Sequence, residues 1–197
     1  MTTTLFTNVH IATGMPGSTA AETTPLQDIL VEDGRFKKIG QRLVTKLATQ
    51  GMDISSIETI DLEGKLACPP FCDTHLHLDY VFTARKPGAV NESGTLFEGI
   101  QRWSETKSDL TVDEVKERAK IGIAKEMRHG VQFIRSHADV TDPNLTSLKA
   151  LLELKEELKD TVTLQIVSFP QEGMYSYEGP HGESGADLVE EGLKIGC

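Results

Sequence analysis

The stretch PPFCDTHLHLDY, Pro69–Tyr80, sets two histidines two residues apart in an apolar run with aspartates on either side. Read as a strand, it sends successive side chains to opposite faces, so His75 and His77 share one face and converge from adjacent pleats. Neutral imidazoles in that arrangement suit zinc or ferrous iron, with Zn–N bonds of ~2.0–2.1 Å. The run ends in polar residues ahead of a helical segment, and the carboxyl ends of strands are where barrel active sites are built. Two nitrogens do not complete a catalytic centre, which needs at least a third ligand and an open position for water. Taken alone, the pair also admits a structural reading.

Two regimes meet at this stretch. Residues 1–68 read as short strands and tight turns. DILVEDGRFKKIG places Asp33-Gly34 between two strand-like runs, a hairpin signal because a type I′ turn needs positive φ. SIETIDLEGKLACPP repeats the idea around Glu63-Gly64, and the intervening QRLVTKLATQGMDISS is polar, with no structure assigned. From Phe71 strands alternate with helices. GTLFEGIQRWSETK reads as a helix. TVDEVKERAKIGIAKEMRHG follows, with Thr111 and Glu114 spaced as a capping box and Gly130 as its terminator. Val115, Ala119, Ile123 and Met127 recur every four residues as a helical stripe. VQFIRSHADV and VTLQIVSFPQEG are the next strands, with NLTSLKALLELKEELK helical between them and GADLVEEGLKIGC helical after.

This order predicts an α/β protein: a small N-terminal β domain, 1–68, followed at 69–197 by a parallel sheet with right-handed crossovers, either a compact doubly wound fold, which usually uses five or more strands, or the first three βα units of a (β/α)8 TIM barrel. A full barrel takes roughly 250 residues, whereas the whole chain has 197. Three strands alone would leave a sheet face and an edge open, so the barrel is expected to be truncated.

Composition narrows the function. A net charge of −10 argues against general binding to nucleic acid or an anionic membrane, though not against a neutral nucleobase. The opening MTTTLFTNVHIATGM lacks the basic and apolar regions of a signal peptide. No apolar run approaches the ~18 residues of a membrane span. Three cysteines without a framework spacing suit a reducing compartment, so a cytoplasmic location is expected.

PPFCDTHLHLDY, NESGTLFEGIQRW, RSHADV, LTSLKALLELKEEL and LQIVSFPQEG together closely resemble the bacterial-type cytosine deaminases of the amidohydrolase superfamily, over roughly Pro69 to Gly173. SGTLFEGIQRW and FPQEG carry the resemblance more specifically than H-x-H does. It implies a strand-built N-terminal domain joined to a metal-dependent barrel with one divalent ion per subunit, Fe2+ or Zn2+. His75 and His77 match the first two metal ligands. Gln171 matches the residue whose carboxamide pairs with the pyrimidine edge, for which it has both a donor and an acceptor. Leu96 matches a position that contacts substrate through its backbone. The implied reaction converts cytosine to uracil and ammonia by attack of metal-bound hydroxide; assembly of the full-length protein as a homo-oligomer stays open. The family's remaining metal ligands and its proton-shuttling residues come from later strands, and none follows LKIGC. No catalytic acid or base is therefore expected within this chain, which should not deaminate by itself. Two alternatives stay open: a non-catalytic or partner-binding fragment, and an amidohydrolase acting on isoguanine or a triazine.

Other residues have plainer readings. His137 is either a pocket residue or a structural hydrogen-bonding one. Asp79 either supports the site or caps backbone donors, and Glu172 reads as structural. Cys68 and Cys72 read as buried free thiols and Trp103 as a packing residue. His181 lies in a loop, and His10 and His129 carry no argument.

Overall fold

A computed structural model describes residues 2–12 and 25–197. Contacts divide the chain into two compact units, Met1–Pro69 and Pro70–Cys197.

The first unit is a sheet built around β1, Thr3–Ile11. β2 (Gln27–Glu32) pairs antiparallel with β1, and β3 (Arg35–Gly40) pairs antiparallel with β2. Asp33 and Gly34 turn that hairpin with φ of 48° and 74°, the left-handed pair a type I′ turn requires. Glu63 and Gly64 are also left-handed, at 53° and 80°. They do not make the second hairpin expected from the sequence. β4 (Glu58–Asp61) and β5 (Leu66–Ala67) both run parallel to β1, one beyond the other, so the turn is a jog between two stretches. A bulge in β1 between Phe6 and Val9 accompanies it, and Asn8 Nδ2 donates to Asp61 Oδ1 across the jog at 3.0 Å. The unassigned polar stretch contains a helix, α1, Leu43–Thr49. Buried Asp28 accepts the Leu43 N–H at its start at 2.7 Å, and Leu43 and Leu47 pack on Leu5 and Leu30.

In the second unit β6 (Phe71–Leu76), β7 (Val131–Asp139) and β8 (Thr163–Phe169) form one parallel sheet in the order β6-β7-β8. Between β6 and β7 come α2, Leu96–Lys107, and α3, Val112–Arg128. α4, Thr146–Glu157, links β7 to β8, and α5, Gly185–Ile195, follows β8. Ile134, Ala138, Leu164 and Ile166 from the strands share one core with Val115, Ala119 and Ile123 of α3 and Leu148, Leu151 and Leu154 of α4. The alternate strand positions Phe133, Arg135 and Gln165 are exposed. A parallel sheet with helices on one face only is the geometry of three consecutive βα units of a barrel, whose inner face is filled by other strands.

Two local expectations change. Thr111 accepts the Glu114 N–H, but the Glu114 carboxylate pairs with Lys86 at 2.6 Å and with Arg118, so only half of a capping box forms. Cys68 and Cys72 are free, as expected, but exposed rather than buried. Both lie where the chain enters β6, on positions without a covering layer. No helix among the described residues is long and apolar enough to cross a membrane.

Candidate active site

β6 ends at Leu76, so His75 lies within the strand and His77 one residue past it. Their rings come together with centroids 5.2 Å apart, edge to face. His75 is exposed and stacks on His137 of β7 at 4.0 Å; half-buried His77 stacks on Tyr80 at 4.5 Å. Nδ1 of His77 and of His137 are buried with no hydrogen-bond partner. Burial pushes His77 down to about 4, and burial with His75 nearby pushes His137 down as well. These imidazoles are therefore neutral at pH 7, the form that ligates metal.

Asp79 is fully buried. Its Oδ2 accepts the Asp139 N–H at 2.8 Å, so the backbone-capping reading describes that oxygen. Its Oδ1 has no partner and stands 3.9 Å from His77 Nδ1, too far for a hydrogen bond. Burial pushes the Asp79 carboxyl up to about 7 while it pushes His77 down, so the two face each other without forming an ion pair. Among the described residues, no group of three or more His, Cys, Asp or Glu side chains is arranged to hold a metal ion. His75 and His77 bring two imidazoles together at one strand end, donors of a type that suits a divalent metal.

Beside them a cleft of about 500 Å³ opens between the segment after β6, the face of α2 and the loop after β8. Tyr80, Phe82, Leu96, Ile100, Trp103 and Gln171 line it. Leu96 and Gln171, far apart in sequence, thus share one wall-to-wall space. Tyr80 joins that space to the histidines, since it stacks on His77 and also meets the Trp103 ring at 4.9 Å. The loop that delivers Leu96 is tied by its own residues. Glu98 accepts the Ser93 and Glu92 N–H groups at 2.6 and 3.1 Å, and the Ser93 side chain, together with those two N–H groups, holds its carboxyl down to about 2. Asn91 accepts the Gly94 N–H and donates to the Thr95 carbonyl, both at 2.8 Å.

The loop that delivers Gln171 rests on residues to which the sequence reading gave no role. Asp139, 1% exposed at the end of β7, accepts from Trp103 Nε1 at 2.6 Å and from Lys107 Nζ at 3.1 Å through Oδ2. Its Oδ1 accepts from the Thr141 backbone at 2.8 Å and from the Gln171 N–H at 3.3 Å. Lys107 also donates to Thr141 Oγ1 at 2.8 Å and pairs with Glu172. Trp103 therefore packs, as expected, and also donates a buried hydrogen bond, while Glu172 is structural through its ion pair. Parity was the signal for Asp139: it stands two residues beyond His137 on the same strand. Lys107 carries no such signal, since a basic residue in the last turn of a helix is ordinary. His181 sits in a loop where its N–H bonds Glu183, His129 turns Nδ1 to the Lys125 carbonyl at the end of α3, and His10 lies in β1.

Gly185 begins α5 against this loop. A Cβ there would meet the Gly173 carbonyl oxygen at 2.1 Å, a backbone atom that has to move. Gly185→Ala is expected to lower stability by about 1–3 kcal/mol, the usual cost of overpacking. Urea unfolding checks the value, and a wild-type midpoint would show that this contact is slack.

Residues 58–191 match the Amidohydrolase family, and the chain belongs to it. Its fold is similar to that of 5-methylcytosine deaminase from Klebsiella pneumoniae, liganded with phosphonocytosine, with 36% identity and a TM-score of 0.78 over 98% of this chain and 42% of that one. N-isopropylammelide isopropylaminohydrolase from Burkholderia multivorans is similar at 25% identity and a TM-score of 0.73, over 100% of this chain and 44% of that one. N-isopropylammelide isopropyl amidohydrolase of Pseudomonas sp. (strain ADP) is 32% identical over 144 residues, 71% of this chain and 34% of the relative. The chain therefore spans 34% to 44% of the length of these relatives. Its α/β architecture is that of the amidohydrolase fold, with the small sheet followed by the first parallel strands.

Proposed function

We propose that this chain carries the amino-terminal part of a metal-dependent hydrolase of exocyclic C–N bonds on a small nucleobase, with cytosine, converted to uracil and ammonia, as the leading substrate. One observation carries the reading: Leu96 and Gln171 line a single cleft that adjoins His75 and His77 through Tyr80. His75 and His77 would each give one neutral imidazole nitrogen to a divalent ion, iron or zinc, with the other donors lying outside the described residues. Such an ion, when bound, supplies Lewis acidity and water activated at neutral pH. The rest falls to the chain's own residues. The Gln171 carboxamide offers a donor and an acceptor to the ring edge, as cytosine's mixed edge requires. Tyr80, Phe82 and Trp103 give the cleft apolar walls that suit a flat ring and limit water. Neither a proton shuttle nor any other catalytic acid or base is assigned here. The 36% identity to 5-methylcytosine deaminase supports a pyrimidine. A second reading, an alkylamino-substituted triazine, is supported by the 32% identity to the Pseudomonas protein.

The test uses the protein as its native cell makes it, captured with an antibody against this chain. About one divalent ion per subunit is expected, with ammonia released from cytosine or 5-methylcytosine. Release of isopropylamine from N-isopropylammelide alone would transfer the assignment to the second reading. Inertness toward all three would sink both.

A further inference from the structure

We propose that Lys107 and Asp139 are positioning residues for Gln171: a buried clamp that fixes the loop after β8 so that the carboxamide meets the substrate edge in one orientation. The proposal rests on the reading of the cleft as a nucleobase pocket and adds what sets its recognition geometry. Gln171 is held by its backbone rather than its side chain. Its N–H is shared between the Asp139 carboxylate at 3.3 Å and the Phe169 carbonyl at 3.1 Å, which leaves the carboxamide free for a ligand. Next to it, Glu172 pairs with Lys107, and the Glu172 carbonyl accepts from Ser176 Oγ at 2.8 Å. Lys107 thus grips the loop at Glu172 while touching Asp139 and Thr141 at the end of β7. The Lys107 side chain is only 10% exposed and that of Asp139 1%, so the contact is withheld from water and from salt screening. Trp103, which donates to the same Asp139 oxygen as Lys107, is also a wall of the cleft. One buried carboxylate therefore sets two groups that face the ligand, Gln171 through its backbone and Trp103 through its indole N–H. A buried carboxylate with both oxygens accepting hydrogen bonds is rigid, and rigidity is what a single-orientation hydrogen-bonding residue requires of its support.

The test is a double-mutant cycle in the protein as its native cell makes it, with substitutions placed in the native gene. Two quantities are read: cytosine affinity, and hydrogen exchange of the Gln171 backbone N–H relative to that of Ile134 in the sheet. Lys107→Met is expected to weaken cytosine binding about tenfold, the scale of one charged or well-placed hydrogen bond. It is also expected to speed Gln171 exchange at least as much, with Ile134 unchanged. Lys107→Arg should restore most of both. In a Gln171→Leu background Lys107→Met should have no further effect on affinity, because a positioning residue has nothing left to position. Effects that multiply, or Gln171 exchange that stays at the wild-type rate, would overturn the clamp. A wild type that does not bind cytosine would instead remove the pocket reading and the substrate half of this proposal. The exchange measurement would still decide whether Lys107 fixes the loop.

Discussion

Leu151→Ala is expected to destabilise the unit Pro70–Cys197 by about 3–5 kcal/mol, the range seen when a buried leucine is truncated and its cavity stays open. Leu151 is fully buried on α4, in one core with Leu148, Leu154, Ile134 and Ile166. Both the lost transfer energy and the cavity count there, because helix and sheet backbones on either side restrict collapse. Leu193→Ala on α5, where the side chain is 60% exposed, should cost less than about 0.5 kcal/mol. The chain's single tryptophan, Trp103, is 5% exposed within the same core, so its fluorescence during urea unfolding reports this unit selectively. A Leu151→Ala loss below about 1 kcal/mol would mean that the layer between helices and sheet is not packed as described.

That core was legible because it is periodic. Val115, Ala119 and Ile123 announce a helix face by their spacing alone, and the alternating strands between such helices leave few topologies open. The jog at Glu63-Gly64 was not legible. Left-handed turn residues specify a reversal of local direction, whereas the partner of each flanking strand is chosen by β1, distant in sequence. Capping at Thr111 was half legible for a similar reason. The hydroxyl acts on its own helix, but the Glu114 carboxylate is drawn off by Lys86 and Arg118. In the candidate site, the paired histidines followed from strand parity, and Leu96 and Gln171 from their motifs. That these two line one cleft is a tertiary fact, made by loops tied through Glu98 and Asp139. Asp79 was read from its strand parity, but its burial was not, and Asp139 and Lys107 lay outside the sequence reading, because a charged residue at a strand or helix end gives no sign of burial. Their burial is made by contacts distant in sequence, Trp103 and Lys107 of α2 on Asp139 and the Asp139 N–H on Asp79.

His75→Ala and His77→Ala are each expected to strip the divalent metal from the protein as its native cell makes it, from about one equivalent to below about a tenth. Loss of a mere supporting partner of a ligand costs about 10–100-fold in metal affinity, and loss of the ligand itself costs more. The two variants should part company in stability measured without metal. The His77 side chain is 17% exposed and lies between the Tyr80 and Phe169 rings, at 4.5 and 5.4 Å, so its removal opens a gap worth about 1–2 kcal/mol. His75 is exposed, and its truncation should stay within about 0.5 kcal/mol. Metal analysis and metal-free urea unfolding together therefore separate ligation from packing: both histidines matter to the first, only His77 to the second. Wild-type metal content in both variants would show that the pair is no metal site. The hydrolase reading would then fail at the two residues from which it starts.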